Sequence, residues 1–230
     1  MRLFSLDKRL SKCAEFLEEK CRVADIGADH SKLLIWLALK NKISYGIACD
    51  INKFSIELST RNIQKYKIGN LVTSRYSDGF LNISESEVDS IVIAGLGGET
   101  ISKILKKCPW KNKCGKNYIF QPMTSEIELR IFLASNDFEI EKEEIVESHG
   151  KIYTIMKVSF NVNKVNYDFA YQFLDKITPN ELSARYVRNQ IKYINEKLIG
   201  MILNNKNDEI INFRKILSYL NNFLKNCIIN

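Results

Sequence analysis

Val23-Ala24-Asp25-Ile26-Gly27-Ala28-Asp29-His30-Ser31 opens directly into Leu33-Leu34-Ile35-Trp36-Leu37-Ala38. The first part is an apolar run ending on an acid and a glycine, which reads as a buried strand and a tight turn. The second part has the pattern of a buried helix. A strand that turns sharply into a helix sets backbone N–H groups and carboxylates at the carboxyl edge of a sheet. Open α/β sheets bind nucleotide-like ligands at that edge. Working outward, a second apolar run over 43–49 ends in Asp50, 25 residues beyond Asp25. An acid at the end of a second strand suits a ribose diol.

Strand and helix patterns continue to alternate to about residue 160. A first helix through Phe16 and Leu17 is predicted with Ser5 as its cap. Strands follow over 21–27, 43–49, 71–76, 88–94 and 118–120, with helices over 31–40, 52–66, 99–107 and 126–135 between them. The turn signals are Ser77-Asp78-Gly79 and Gly95-Leu96-Gly97-Gly98. Ser125-Glu126-Ile127-Glu128 reads as a capping box. Two strands over 138–147 and 151–160 then meet at Ser148-His149-Gly150 with no helix between them, which suits a hairpin. The predicted fold class is α/β: a doubly wound, mostly parallel sheet with a terminal antiparallel hairpin. That order belongs to the methyltransferase variant of the Rossmann-like sheet, since the dehydrogenase variant ends on a further parallel strand.

From about Asn161 the pattern changes. Thr178-Pro179-Asn180-Glu181 predicts a helix start. Val187, Ile191, Ile194, Leu198 and Met201 repeat at helical spacing. After the polar loop 204–207, so do Ile210, Phe213, Leu217, Leu220, Leu224 and Cys227. The expected organisation is therefore a ligand-binding domain over 1–160 and a C-terminal helical coiled-coil hairpin over 161–230.

The chain has 230 residues, 45% hydrophobic and 27% charged, which suits a globular protein with an ordinary core. Its net charge is +7, and residues 161–230 carry 10 Lys+Arg against 6 Asp+Glu. Between Thr100 and Ser125 stand six lysines (103, 106, 107, 111, 113 and 116) and no acid. That segment is either a phosphate-contacting surface or a solvated helix end. The six cysteines show no metal spacing. No stretch has the pattern of a secretory leader or the length of a membrane span. No metal, membrane or obligate protein partner is expected, and the expected compartment is the cytoplasm.

Asp25, Asp29, Asp50 and Asp78 each follow a strand, so they should converge. Such a carboxylate fringe would repel a pyrophosphate and attract a cationic ligand such as S-adenosylmethionine. The bland alternative is that Asp25 and Asp29 are capping or turn residues. NAD chemistry fits poorly, because the third glycine of the dinucleotide fingerprint is missing.

The segments Val23–His30, Ile93-Ala94-Gly95-Leu96-Gly97-Gly98, Gln121-Pro122 and Gly150-Lys151-Ile152-Tyr153 together resemble the bacterial TrmK-type family. Its members are S-adenosylmethionine-dependent tRNA methyltransferases acting on N1 of adenine 22. The resemblance covers essentially the whole chain, with departures at Leu96 and Met123. It implies that Asp25, Gly27, Asp29 and His30 line the methionine part of a cofactor site. Asp50, with Ile51 beside it, would take the ribose, and Asp78, with Gly79, the adenine. Ala94 and Gly95 would border the sulfonium. Asp29 and Gln121 are the catalytic candidates, Asp29 through its charge and Gln121 by bonding the base edge. tRNA would be contacted by Gly97, Gly98, Lys103, Lys106, Lys107, Arg185, Arg188 and Lys192. Trp110 either stacks on a base or packs. The competing readings are a methyltransferase for another RNA, a protein or a small molecule, and a non-catalytic RNA-binding relative.

Overall fold

A computed structural model describes residues 4–110, 114–162, 174, 176–203 and 207–229. Helix α1 (Lys8–Phe16) precedes strand β1 (Cys21–Ile26). There follow α2 (Lys32–Leu39), β2 (Ile43–Asp50), α3 (Lys53–Lys65), β3 (Val72–Tyr76), β4 (Ser90–Leu96), α4 (Gly98–Lys106) and β5 (Asn117–Pro122). The sheet then closes through α5 (Glu126–Ser135), β6 (Phe138–Ser148) and β7 (Lys151–Phe160). The seven strands lie in the order β3-β2-β1-β4-β5-β7-β6. β1 to β5 run parallel and β7 is antiparallel to both β5 and β6. This is the Rossmann-like methyltransferase architecture expected from the strand pattern.

Why the central strands read as continuous apolar runs is now physical. Successive side chains point to opposite faces of a strand. Val23 packs with α1, α2 and α3 on one face, while Ala24 and Ile26 pack with α4 and α5 on the other. A strand covered on both sides has no solvent face, so it carries no alternation.

Three predicted helix starts differ. Asp7, not Ser5, caps α1, and its carboxylate accepts from the Leu10 N–H at 3.0 Å. Ser125 caps nothing with its side chain and sits at φ 53°, ψ 41°. Its backbone is held instead by packing against Gly98. Helix α6 (Glu181–Leu203) starts two residues later than Pro179 at the first helical position implies. Asn180 and Ser183 form the reciprocal box there: Ser183 N–H donates to Asn180 Oδ1 at 2.9 Å and Asn180 N–H to Ser183 Oγ at 2.7 Å.

α6 and α7 (Asn207–Ile229) pack together as a hairpin. Tyr186, Val187, Ile194, Leu198 and Met201 meet Ile210, Phe213, Ile216 and Leu220, with Ile127 of α5 in the same cluster. Ile216 is fully buried where the heptad pattern pointed to Leu217, which is half-buried. Residues 204–206 of the polar loop lie outside the described residues. A buried polar bridge reinforces the seam between hairpin and sheet. The Arg130 guanidinium pairs with Glu143 and donates to the Tyr186 hydroxyl at 3.1 Å; Tyr186 in turn donates to Glu126 at 2.6 Å. Among the described residues no helix is long and apolar enough to cross a membrane.

Candidate active site

A cavity of about 690 Å³ opens at the carboxyl ends of β1, β2 and β4. Five carboxylates line it, from Asp7, Asp25, Asp29, Asp50 and Asp78, against two cations, Arg9 and Lys32. The cavity is therefore anionic. Gly27, Ala94, Gly95, Ile51 and Gly79 also line it. Most of the residues expected at a cofactor site on sequence grounds thus meet in one place.

Asp25 is the penultimate residue of β1 and is 6% exposed. No donor among the described residues reaches its carboxylate. Burial and, secondarily, the charge of Asp50 push its pKa up to about 7. A buried acid without a partner is costly and calls for a donor or cation brought from outside. Asp50 ends β2, and one of its oxygens accepts from the Asn52 N–H at 2.7 Å. Its other oxygen has no such partner among the described residues. Ile51 beside it is 58% exposed, a flat apolar surface at the cavity edge.

The backbone makes room for a ligand at two glycines. Gly27 sits at φ 78° and Gly95 at φ 80°, where a side chain would be strained. Gly95 is the extra residue of a bulge, because Ala94 pairs with Gln121 and Leu96 with Pro122. The bulge re-aims the end of β4 toward the opening.

Asp78 meets an unexpected neighbour. Lys107, expected to face RNA, donates to Asp78 Oδ2 at 3.2 Å. Both are substantially exposed, so the pair contributes little and a ligand's donor can replace it. Asp29 is exposed, and its carboxylate meets His30 Nε2 at 2.8 Å. His30 lines a neighbouring depression with Asn62 and Tyr66 rather than the main cavity.

Gln121 does not face the opening. It is fully buried, and its amide is occupied. Its Oε1 accepts from Arg9 Nη1 at 2.9 Å and from the Gly95 N–H at 3.2 Å, and its Nε2 donates to the Pro122 carbonyl at 2.8 Å. Gly98 is likewise buried; its N–H donates to the Thr124 carbonyl at 2.7 Å. A Cβ there would collide with the Ser125 carbonyl, so this glycine joins α4 to α5. Gly97 is half-buried over Thr124.

The basic residues divide. Lys103 and Lys106 are exposed on α4. Lys116 is used internally, donating to the Glu85 and Val88 carbonyls. Lys111 and Lys113 lie outside the described residues. Trp110 packs edge-on against Phe80, and its indole donates to the Ile83 carbonyl at 2.9 Å. Arg185 pairs with Glu147, whereas Arg188 is exposed, and Lys192 has only a weak pairing with Glu196 at 4.0 Å.

Asp7 and Arg9 are among the cavity residues that the sequence does not single out. They look like an ordinary helix start, yet Arg9 joins Asp7, Gln121, Met123 Sδ and the Tyr153 ring. An Asp-x-Arg pair at a helix N-terminus was the only local signal. Among the described residues no group of three His, Cys, Asp or Glu side chains is placed to hold a metal ion.

Comparison with known proteins shows the family. Residues 6–156 match the family model described as a methyltransferase domain. The chain is 30% identical to the Bacillus subtilis tRNA (adenine(22)-N(1))-methyltransferase over 168 residues, 73% of this chain and 71% of that one. It is 34% identical to a putative tRNA methyltransferase of Mycoplasma genitalium over 157 residues, 66% of this chain and 69% of that one. A Streptococcus pneumoniae putative tRNA (m1A22) methyltransferase, solved with S-adenosyl-L-methionine, superposes with a TM-score of 0.77 at 24% identity. That match covers 96% of this chain and all of the other. The chain belongs to the methyltransferase-domain family and, within it, to the TrmK-type tRNA (adenine(22)-N(1))-methyltransferases.

Proposed function

We propose that this protein transfers a methyl group from S-adenosylmethionine to N1 of an adenine in tRNA, the adenine at position 22. The observation that carries this reading is the anionic cavity around Asp25, a buried carboxylate with no partner among the described residues. S-adenosylmethionine supplies an electrophilic methyl group on a cationic sulfonium, and five carboxylates favour that charge where they would repel a pyrophosphate. The free oxygen of Asp50 can accept from a ribose hydroxyl. Ile51 and Gly79 offer surface to the adenine ring, and Asp78 accepts from its amine. Asp25, Gly27 and Asp29 surround the amino-acid end, and His30 acts by holding Asp29.

Adenine N1 carries an in-plane lone pair, so the chain need not remove a proton before transfer. The product ring is cationic, and Asp29 provides nearby negative charge. What the chain must do is orient the base, exclude water and close the approach. Gln121 serves as a positioning residue here: it fixes the Gly95 bulge and Arg9 in one geometry. N1 belongs to the pairing edge, so the base must be unpaired or swung out. We assign cofactor binding to residues 1–160 and RNA contact to exposed cations of α4 and of 161–230. The six cysteines are free thiols, which supports a reducing compartment, the cytoplasm.

The test is incubation with labelled S-adenosylmethionine and bulk tRNA, followed by digestion to nucleosides. Labelled 1-methyladenosine is expected, absent from tRNA whose adenine 22 is replaced. Asp50→Ala should weaken cofactor binding by about tenfold or more, as expected for a lost hydrogen bond to a charged group. Label in another nucleoside, or none, refutes the proposal.

A further inference from the structure

A second cavity, of about 470 Å³, lies beside the first and shares Met123 as a wall. Its lining includes Lys151, Tyr153, Arg185 and Arg188 and, among the described residues, no carboxylate. The two cavities are thus of opposite sign on the two sides of one thioether. Lys151 and Arg188 are exposed, and neither meets a carboxylate among the described residues. Other cations around the two cavities already have carboxylate partners: Arg9 pairs with Asp7, Arg185 with Glu147 and Lys107 with Asp78.

Arg9 ties the wall between them together. Arg9 donates to Met123 Sδ at 3.3 Å and lies 5.2 Å from the centroid of the Tyr153 ring. Tyr153 is buried at the start of β7, and Lys151 and Arg188 come from β7 and α6. The groove therefore forms only where the hairpin helices dock on the sheet.

We propose that Lys151 and Arg188 form a phosphate-binding subsite for the nucleotide being methylated, separated from the methyl donor by Met123 and Tyr153. A nucleotide is a neutral base joined to an anion. The reactive edge belongs in the anionic cavity with the sulfonium, and the phosphate belongs in the cationic groove next to it. Holding the phosphate one wall away orients the base, and this orientation acts on the transfer step itself. The inference rests on reading the site as that of a tRNA adenine methyltransferase.

The experiment compares wild type with Lys151→Ala/Arg188→Ala and with the charge-keeping Lys151→Arg/Arg188→Lys. Three quantities are read: cofactor affinity by calorimetry, the salt dependence of tRNA binding by anisotropy, and the single-turnover methylation rate at saturating tRNA. Both side chains are exposed, so cofactor affinity should hold within about twofold and certify the fold. The alanine pair should reduce the salt slope by about 2, one per lost phosphate contact. It should slow single-turnover transfer by about tenfold or more, and the charge-keeping pair should recover most of both. A lowered slope with an unchanged rate would put the phosphate contact elsewhere on the RNA and overturn the subsite. A slowed rate with an unchanged slope would overturn it too, since no phosphate would be involved. If wild type makes no 1-methyladenosine, the functional reading fails and takes the subsite with it; normal wild-type product beside an unaffected alanine pair overturns the subsite alone.

Discussion

Arg9 Nη1 donates to Gln121 Oε1 at 2.9 Å across 112 residues of sequence. One residue stands at the start of α1 and the other near the end of β5. The same oxygen accepts from the Gly95 N–H, so one buried amide ties the first helix to the bulge that ends β4. The Gln121 side chain has no polar atom left over for a substrate.

Gln121→Leu should therefore act through its neighbours. It strands the Gly95 N–H and removes the Arg9 acceptor inside the fold, for a loss of about 1–3 kcal/mol in urea unfolding. A double-mutant cycle with Arg9→Ala should show a coupling of about 0.5–3 kcal/mol. A coupling near zero would mean that the two groups are adjacent without depending on each other.

Asp25 sets a pH dependence. Its folded pKa is raised to about 7 by burial and by Asp50, from 3.8. The folded protein then binds a proton that the unfolded chain releases, so Asp25 makes the free protein less stable as pH rises from about 4 to about 7. The difference is on the order of 4 kcal/mol. A cationic ligand reverses the preference, because it favours the ionised carboxylate. Cofactor affinity should rise with pH up to about 7 and then level, with proton release on binding below that point. Calorimetry in buffers of different ionisation heat measures the proton, and Asp25→Asn should remove both effects. A variant with the same pH profile as wild type would show that another group is responsible.

Tyr186 stands between Arg130 and Glu126 in the seam beneath α6. Loss of water, opposed by the bonds from Tyr186 and by Arg130, leaves the Glu126 carboxyl at about 7. Tyr186→Phe deletes a donor to Glu126 and an acceptor for Arg130, and should lower stability by about 1–3 kcal/mol. Arg130→Ala should be worse, about 3–5 kcal/mol, because it leaves the buried Glu143 charge uncompensated. The order of the two melting temperatures tests this seam; a milder effect for Arg130→Ala would contradict it.

The two loop glycines should behave differently. Gly95 has a positive φ but open space around it, so Gly95→Ala carries only the strain of its backbone, about 1 kcal/mol. Gly98 has an ordinary φ but no room, because a methyl group would enter the Ser125 carbonyl. Gly98→Ala must push α4 off α5, and its loss of stability should exceed that of Gly95→Ala. Chemical denaturation of both variants decides the ranking.

Much of the molecule was legible in the chain. Alternating strand and helix signals, and the absence of a helix between 138–147 and 151–160, led to the sheet order. The acid-plus-glycine ending of β1 and the acids after β2 and β3 led to the cavity. Helix starts were less so: Ser125 has the residue type and spacing of a cap, yet packing against Gly98 holds its backbone in the left-handed region. Gln121 and Lys107 were assigned outward roles that the fold gives to inward or cofactor-side contacts.

Local periodicity and turn chemistry are properties of neighbouring residues, so the sequence by itself determined which segments became strands and which edge became acidic. Only the tertiary structure decided that Arg9 would reach Gln121, that Asp25 would lose its water, and that Lys151 would stand beside Arg188. Each of those depends on which segments far apart in the chain are brought together, and that packing sets burial, local dielectric and the distances between charges.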